Sequence, residues 1–110
     1  MAKYLVLYRS KVSAAEQLEG ASPEDAQAGM DAWMQWSGKV GNAMVDMGSP
    51  LQSVAVMGGS GDGAHISGFS VLEADSAEAA KALVDGHPHL MSPGEPSIEV
   101  LEFLALPGMS

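Results

Sequence analysis

The chain has 110 residues, of which 46% are hydrophobic and 17% charged, enough for one domain and too apolar for intrinsic disorder. Fourteen acidic residues against five basic ones give a formal net charge of −9, which repels phosphate backbones and anionic membrane surfaces, so neither a nucleic acid nor a membrane is an expected partner. The absence of cysteine excludes disulfides and thiolate metal sites, and no apolar run reaches secretory or membrane-spanning length, so the expected compartment is the cytoplasm.

Tyr4-Leu5-Val6-Leu7-Tyr8 is aliphatic and aromatic between Lys3 and Arg9, and predicts a first strand apolar on both faces. Residues 10–20 are polar and small, and predict a loop with a short helical piece at 14–18. Ser22-Pro23-Glu24-Asp25 then starts a helix: the Ser side chain accepts a free backbone N–H, Pro suits the first turn, and the carboxylates complement the positive end of the dipole. The periodicity carries this helix to about Met47, with Met30, Trp33, Met34, Ser37, Val40, Gly41, Met44 and Val45 on one buried side and Asp31, Gln35, Lys39, Asn42 and Asp46 opposite. Gly48-Ser49-Pro50 is the expected stop.

Residues 51–57 predict a second strand, the glycine-rich 58–63 a flexible connection, and residues 66–74 a third strand paired with the second. A second helix follows a cap at Asp75 or Ser76, with Ala79, Ala80, Leu83 and Val84 on its apolar face and Gly86 and Pro88 at its end. Residues 98–106 predict the last strand. The order β-α-β-β-α-β is that of an α+β, ferredoxin-like fold, a four-stranded antiparallel sheet with two helices on one face. Strands apolar on both sides then leave a second face to be covered, most simply by the same face of another copy, which predicts a homodimer.

The candidate chemistry centres on Gly86-His87-Pro88-His89-Leu90. A residue before proline is pushed toward extended backbone, and side chains two apart in an extended chain share a side, so His87 and His89 are candidate catalytic residues for proton transfer near neutrality. The competing structural role is a helix stop, with one imidazole on the last helical carbonyls and the other solvated. Asp85, Glu99 and His65 are the available third donors for a metal, but the spacing matches no established zinc pattern, and neither a metal nor a cofactor is expected. The glycine-rich stretch lacks the lysine and the strand-to-helix setting of a P-loop. Tyr8, Trp33, His65 and Glu99 are the candidate ligand-binding residues: Tyr8 ends the first strand, Trp33 lies with Trp36 and the helix methionines, His65 follows the glycine-rich loop, and Glu99 is a carboxylate on an otherwise apolar strand.

Several segments in order resemble the YCII-related (DGPF) family: Lys3 to Tyr8, the Trp33-bearing first helix ending at Gly48, Gly68-Phe69-Ser70-Val71-Leu72-Glu73-Ala74 followed by Asp75-Ser76-Ala77-Glu78-Ala79-Ala80, and Gly86 to Leu90 leading to Ile98-Glu99-Val100. The resemblance spans nearly the whole chain as a single domain. It implies a dimeric α+β barrel with a cleft between helix face and sheet. One branch of that family eliminates chloride from a lactone, which points to an acid/base enzyme of lyase or isomerase type with His89 or His87 as proton shuttle. In a better-known branch the acid/base histidine lies near the start of the first helix, where this chain has Glu24, Asp25 and Asp31, and the Asp-Gly-Pro-Phe signature is absent. The alternative expectation is a non-catalytic dimeric module that binds a small apolar ligand or a protein partner.

Overall fold

A computed structural model describes residues 2–12, 16, 19–58, 65–91 and 94–104. The regular elements are β1 (Ala2–Ser10), α1 (Pro23–Val40), β2 (Met44–Pro50), β3 (His65–Ala74), α2 (Ala77–Val84) and β4 (Ser97–Glu102), with single 3₁₀ turns at Gly41–Ala43 and Pro88–Met91. The strands form one antiparallel sheet in the order β2-β3-β1-β4, so the two strands that end up central are the first and third in the chain. That is the ferredoxin-like arrangement expected from the element order.

Alternation along the central strands separates the two sheet faces. Tyr4, Val6, Tyr8 and Ser10 of β1 and Gly68, Ser70, Leu72 and Ala74 of β3 are buried, and the residues between them are half-buried or exposed. Both helices cover this one face. Trp36 and Val40 of α1 and Val84 of α2 pack with Val6, Tyr8 and Leu72, and Ala80 of α2 packs with Tyr4 and Ala74. The helix starts are local and follow the capping chemistry: Ser22 Oγ accepts from the Asp25 amide and Ser76 Oγ from the Ala79 amide, each at 3.1 Å.

The first helix is shorter than its periodicity predicts. It ends at Val40, where Gly41 adopts φ 59° and returns its N–H to the Ser37 carbonyl. Met44, Val45 and Met47, read as a continuation of the helical stripe, instead lie on β2, which pairs with β3 from Met44 opposite Leu72 to Pro50 opposite Gly68. Gly48-Ser49-Pro50 is therefore the end of a strand and not a helix stop. Gly48 has φ 82° at a register shift, and a Cβ there would run into the Phe69 carbonyl, so only glycine fits. Residues 51–57 form no strand and are exposed, with the Leu51 amide donating to the Ser67 carbonyl at 2.9 Å as the last contact with β3, because residues 44–50 already occupy the edge they were expected to take.

The buried face of α1 is also rotated from the expected stripe. Trp36 and Val40 are buried, while Met30 and Met34 are 57% and 54% exposed. The last strand ends at Glu102, with Ile98 and Val100 packed against the core. Most of the helical piece expected at 14–18, the glycine-rich stretch 59–63 and the end of the expected last strand lie outside the described residues.

Candidate functional site

The end of α2 sets the site. Asp85 closes the helix, Gly86 follows with φ 71°, and the His87 amide donates to the Val84 carbonyl at 3.1 Å. Pro88 then opens a 3₁₀ turn in which the Leu90 amide donates to the His87 carbonyl at 3.1 Å. The chain at His87-Pro88-His89 thus turns and does not extend. Both imidazoles nevertheless lie against Tyr8, at ring-centroid distances of 4.7 Å for His87 and 5.3 Å for His89.

His87 is fully buried and His89 nearly so. Neither is a solvated helix-end side chain. Around His87 stand Trp36 at 4.2 Å, Trp33 edge-on at 4.5 Å and Tyr8, so α1 and β1 together wall the ring in. Trp33 also meets Tyr8 edge-on at 4.9 Å, a favoured geometry for aromatic pairs. Trp36 is anchored by an Nε1–H bond to the Leu83 carbonyl, 2.9 Å, which ties α1 to the last turn of α2.

The hydrogen bonds fix where the protons lie. The His89 amide donates to His87 Nδ1 at 2.9 Å, so Nδ1 presents its lone pair and the neutral His87 ring carries its proton on Nε2. His89 Nε2 lies 2.9 Å from the Arg9 carbonyl, which only accepts, so the His89 proton is on Nε2 as well. Ser70 Oγ donates to the Met47 carbonyl at 2.8 Å, which leaves the Tyr8 hydroxyl as the donor in its 2.8 Å bond to Ser70. Burial pushes the Tyr8 phenol up to about 12, with the Ser70 hydroxyl offsetting part of the shift. Burial, with a smaller contribution from His89, lowers His87 to about 4. At neutral pH the enclosure therefore holds a neutral phenol and a neutral imidazole. Among the described residues His87 Nε2 is buried without a hydrogen-bond partner, and a buried donor in that condition costs about 1–3 kcal/mol.

Of the residues singled out from sequence, the fold brings Tyr8, Trp33, His87 and His89 together. His65 and Glu99 lie elsewhere. His65 begins β3 and is exposed. Glu99 pairs with Leu7 in the ladder, on the sheet face away from the helices, and forms a 3.0 Å ion pair with Arg9. Two residues of the site were not singled out. Ser70 shares the inward parity of Leu72 and Ala74, so a hydroxyl on a buried face was visible in the alternation. Trp36 was named only among general lining residues, and the helical projection had placed the buried side elsewhere. Among the described residues no group of three or more His, Asp or Glu side chains is placed to hold a metal ion.

No family model matches the sequence, and no curated protein matches it. Among solved structures, the fold is similar to that of 5-chloro-2-hydroxyhydroquinone dehydrochlorinase (TftG) from Burkholderia phenoliruptrix AC1100, in complex with 2,5-dihydroxybenzoquinone. The TM-score is 0.53, the identity 14%, and the match covers 98% of this chain and 99% of the other. At that identity the likeness shows the fold. Among the described residues no helix is long and apolar enough to cross a membrane.

Proposed function

We propose that this chain is a YCII-like acid/base enzyme of lyase or isomerase type, acting on a small organic molecule without need of a cofactor, as a cytoplasmic single-domain protein. The observation that carries the reading is the convergence of two imidazoles on the Tyr8 ring, with Nε2–H on both and His87 walled in by Trp33 and Trp36. The shared fold with a dehydrochlorinase supports it, since loss of HCl is a lyase reaction that moves a proton as the leaving anion departs.

The two imidazoles suit different parts. His87, held neutral with Nδ1 engaged, is a hydrogen-bond donor and a poor base. His89 holds its ring in place with Nε2–H on the Arg9 carbonyl and lies nearly buried against Tyr8. His89 is therefore assigned the proton transfer and His87 the polarisation of an oxygen. The test is a panel of chlorinated hydroxyhydroquinones, lactones and unsaturated carbonyl compounds, followed by halide release and ultraviolet absorbance. H89Q is expected to lower turnover at least 100-fold, and H65Q to leave it within twofold. Absence of turnover across the panel, or full activity in H89Q, defeats the reading.

One observation favours the second reading, a dimeric module that binds a small apolar ligand. An open groove of about 370 Å³ lies between α2 and β4, lined by Tyr4, Ala77, Ile98 and Val100 with Glu78, Lys81 and Glu102, and no imidazole lines it. Binding of apolar probes in that groove with no turnover on the panel would select this reading.

In either case the working unit is proposed to be a homodimer. Leu5 stands between Val71 and Leu101, and Leu7 beside Phe69, on the sheet face that the helices leave open. The molecule is a slab 18 Å thick, with a radius of gyration of 15.0 Å. A compact chain of this length has about 13 Å. A second copy packed on that face would bury these rows and thicken the slab. Sedimentation at micromolar concentration is expected to give a dimer for the wild type and a monomer for L7K; a wild-type monomer rules the arrangement out.

A further inference from the structure

The strand β4 forms one edge of the sheet, with β1 on its inner side. The Phe103 amide donates to the Lys3 carbonyl at 3.0 Å, and the antiparallel register alternates from there, so Ser97, Glu99 and Leu101 turn their backbone groups toward β1. The N–H and C=O groups of Ile98, Val100 and Glu102 therefore point outward, and no backbone partner meets them among the described residues. The side chains of the same three residues lie on the helix side. There, two hollows of about 240 and 370 Å³ share Lys81, Ile98 and Val100 and make one groove along α2. An open edge beside such a groove is a setting for strand addition, in which backbone bonds hold an extended segment and its alternate side chains enter the groove.

At the opposite edge the chain leaves β2 after Pro50 as Leu51-Gln52-Ser53-Val54-Ala55-Val56-Met57, a run without charge. The Leu51 amide is held by the Ser67 carbonyl, and beyond it Val54, Val56 and Met57 are 92%, 62% and 93% exposed. Valines favour strands, and two of them two residues apart share a side in an extended chain. An exposed, uncharged apolar run of this kind is what an open edge captures. The groove of its own chain is out of reach: a strand added to β4 would stand four strand spacings from β2, about 19 Å, while the chain from Leu51 to Val54 spans at most about 11 Å. Two copies of charge −9 repel each other, and an uncharged run adds nothing to that repulsion. We propose that residues 51–57 add as a strand to β4 of a second copy and seat Val54 and Val56 in its groove, the two copies exchanging these segments about a two-fold axis. The exchange rests on the homodimer proposed for the open sheet face: a two-fold axis parallel to the strands, between stacked faces, sets β2 of one copy beside β4 of the other. It also fills the groove that the second reading gives to an apolar ligand.

Amide hydrogen exchange, followed by proton–nitrogen spectra of ¹⁵N-labelled protein, reads the outward groups directly. In the wild type the amides of Ile98, Val100 and Glu102 are expected to exchange at least tenfold more slowly than in V54D/V56D at the same concentration, and to lose that protection on dilution to monomer. Sedimentation of V54D/V56D is expected to show a dimer weakened at least tenfold. Both substitutions fall on exposed side chains outside the regular elements, so the fold of the monomer is retained. Equal exchange of the three amides in the two proteins overturns the proposal. Protection that persists in the monomer also overturns it, since the pairing would then lie within one chain. A wild-type dimer whose outward amides exchange freely discards the exchanged strand and keeps the homodimer of open faces, and a wild-type monomer discards both.

Discussion

Acidification from pH 7 to pH 4 is expected to remove about 3 kcal/mol of folding stability through His87 alone. The ring is fully buried among Tyr8, Trp33 and Trp36, and its folded-state value is lowered to about 4 from 6.5. Between those values the unfolded chain binds a proton that the native state refuses, so stability falls as pH falls, by about 1.4 kcal/mol per unit. Above pH 6.5 the ring is neutral in both states and contributes no pH dependence. Below pH 4 it is charged in both, and the penalty is constant. Protonation also places an Nδ1–H against the His89 amide N–H, two donors facing each other across what was a 2.9 Å bond. Urea unfolding at unit steps from pH 7 to pH 4 checks this, with H87F as reference, because carboxylate titration is common to both proteins. Parallel curves for the two would show that His87 is not buried as described.

Trp36 is the side chain whose truncation is expected to matter most. It is 4% exposed, packs on His87 and belongs to the cluster of Val6, Tyr8, Val40, Leu72 and Val84. Trp36→Ala removes that packing, at about 3–5 kcal/mol, and leaves the Leu83 carbonyl without its donor, at about 1 kcal/mol more. Small domains have about 5–15 kcal/mol in total, so W36A is expected to be largely unfolded or close to it at 37 °C. W36F keeps most of the ring and loses the hydrogen bond, and is expected to cost about 1–2 kcal/mol. Met30→Ala and Met34→Ala are expected to cost less than about 1 kcal/mol, since both side chains are more than half exposed. Denaturant midpoints of the four variants rank them. A methionine variant less stable than W36A would restore the stripe that the periodicity indicated.

That contrast locates what the sequence conveyed and what it did not. The starts of both helices were legible because capping is local: Ser22 and Ser76 reach amides three residues on, whatever the rest of the chain does. The end of α1 was less legible. Met44, Val45 and Met47 satisfy a helical period as well as a strand, and the choice rests on pairing with β3, more than twenty residues away. Residues 51–57 carry strand propensity too, but one edge of β3 takes one neighbour on that side, and residues 44–50 have it.

The site divides the same way. Gly86-His87-Pro88-His89 marked two imidazoles two residues apart, and both do lie against Tyr8. Their proximity to Tyr8 comes from a 3₁₀ turn packed on β1, not from the extended chain that the proline suggested. Tyr8 and Trp33 were legible as candidates, but the place of Trp36 beside them around His87 was not, because the enclosure is assembled from β1, α1 and the end of α2. The orientation of Trp36 depends on an acceptor 47 residues distant.

By itself the sequence determined the α+β class, the order of the elements, the acidity that disfavours nucleic acids and anionic surfaces, and strands apolar on both faces. These depend on neighbours along the chain or on composition. Only the tertiary structure decided which residues form the second strand, which side of α1 is buried, and that His87 is a neutral donor enclosed by aromatic rings. Those outcomes depend on ladder partners, burial and hydrogen-bond acceptors that are distant in the chain and become neighbours through folding.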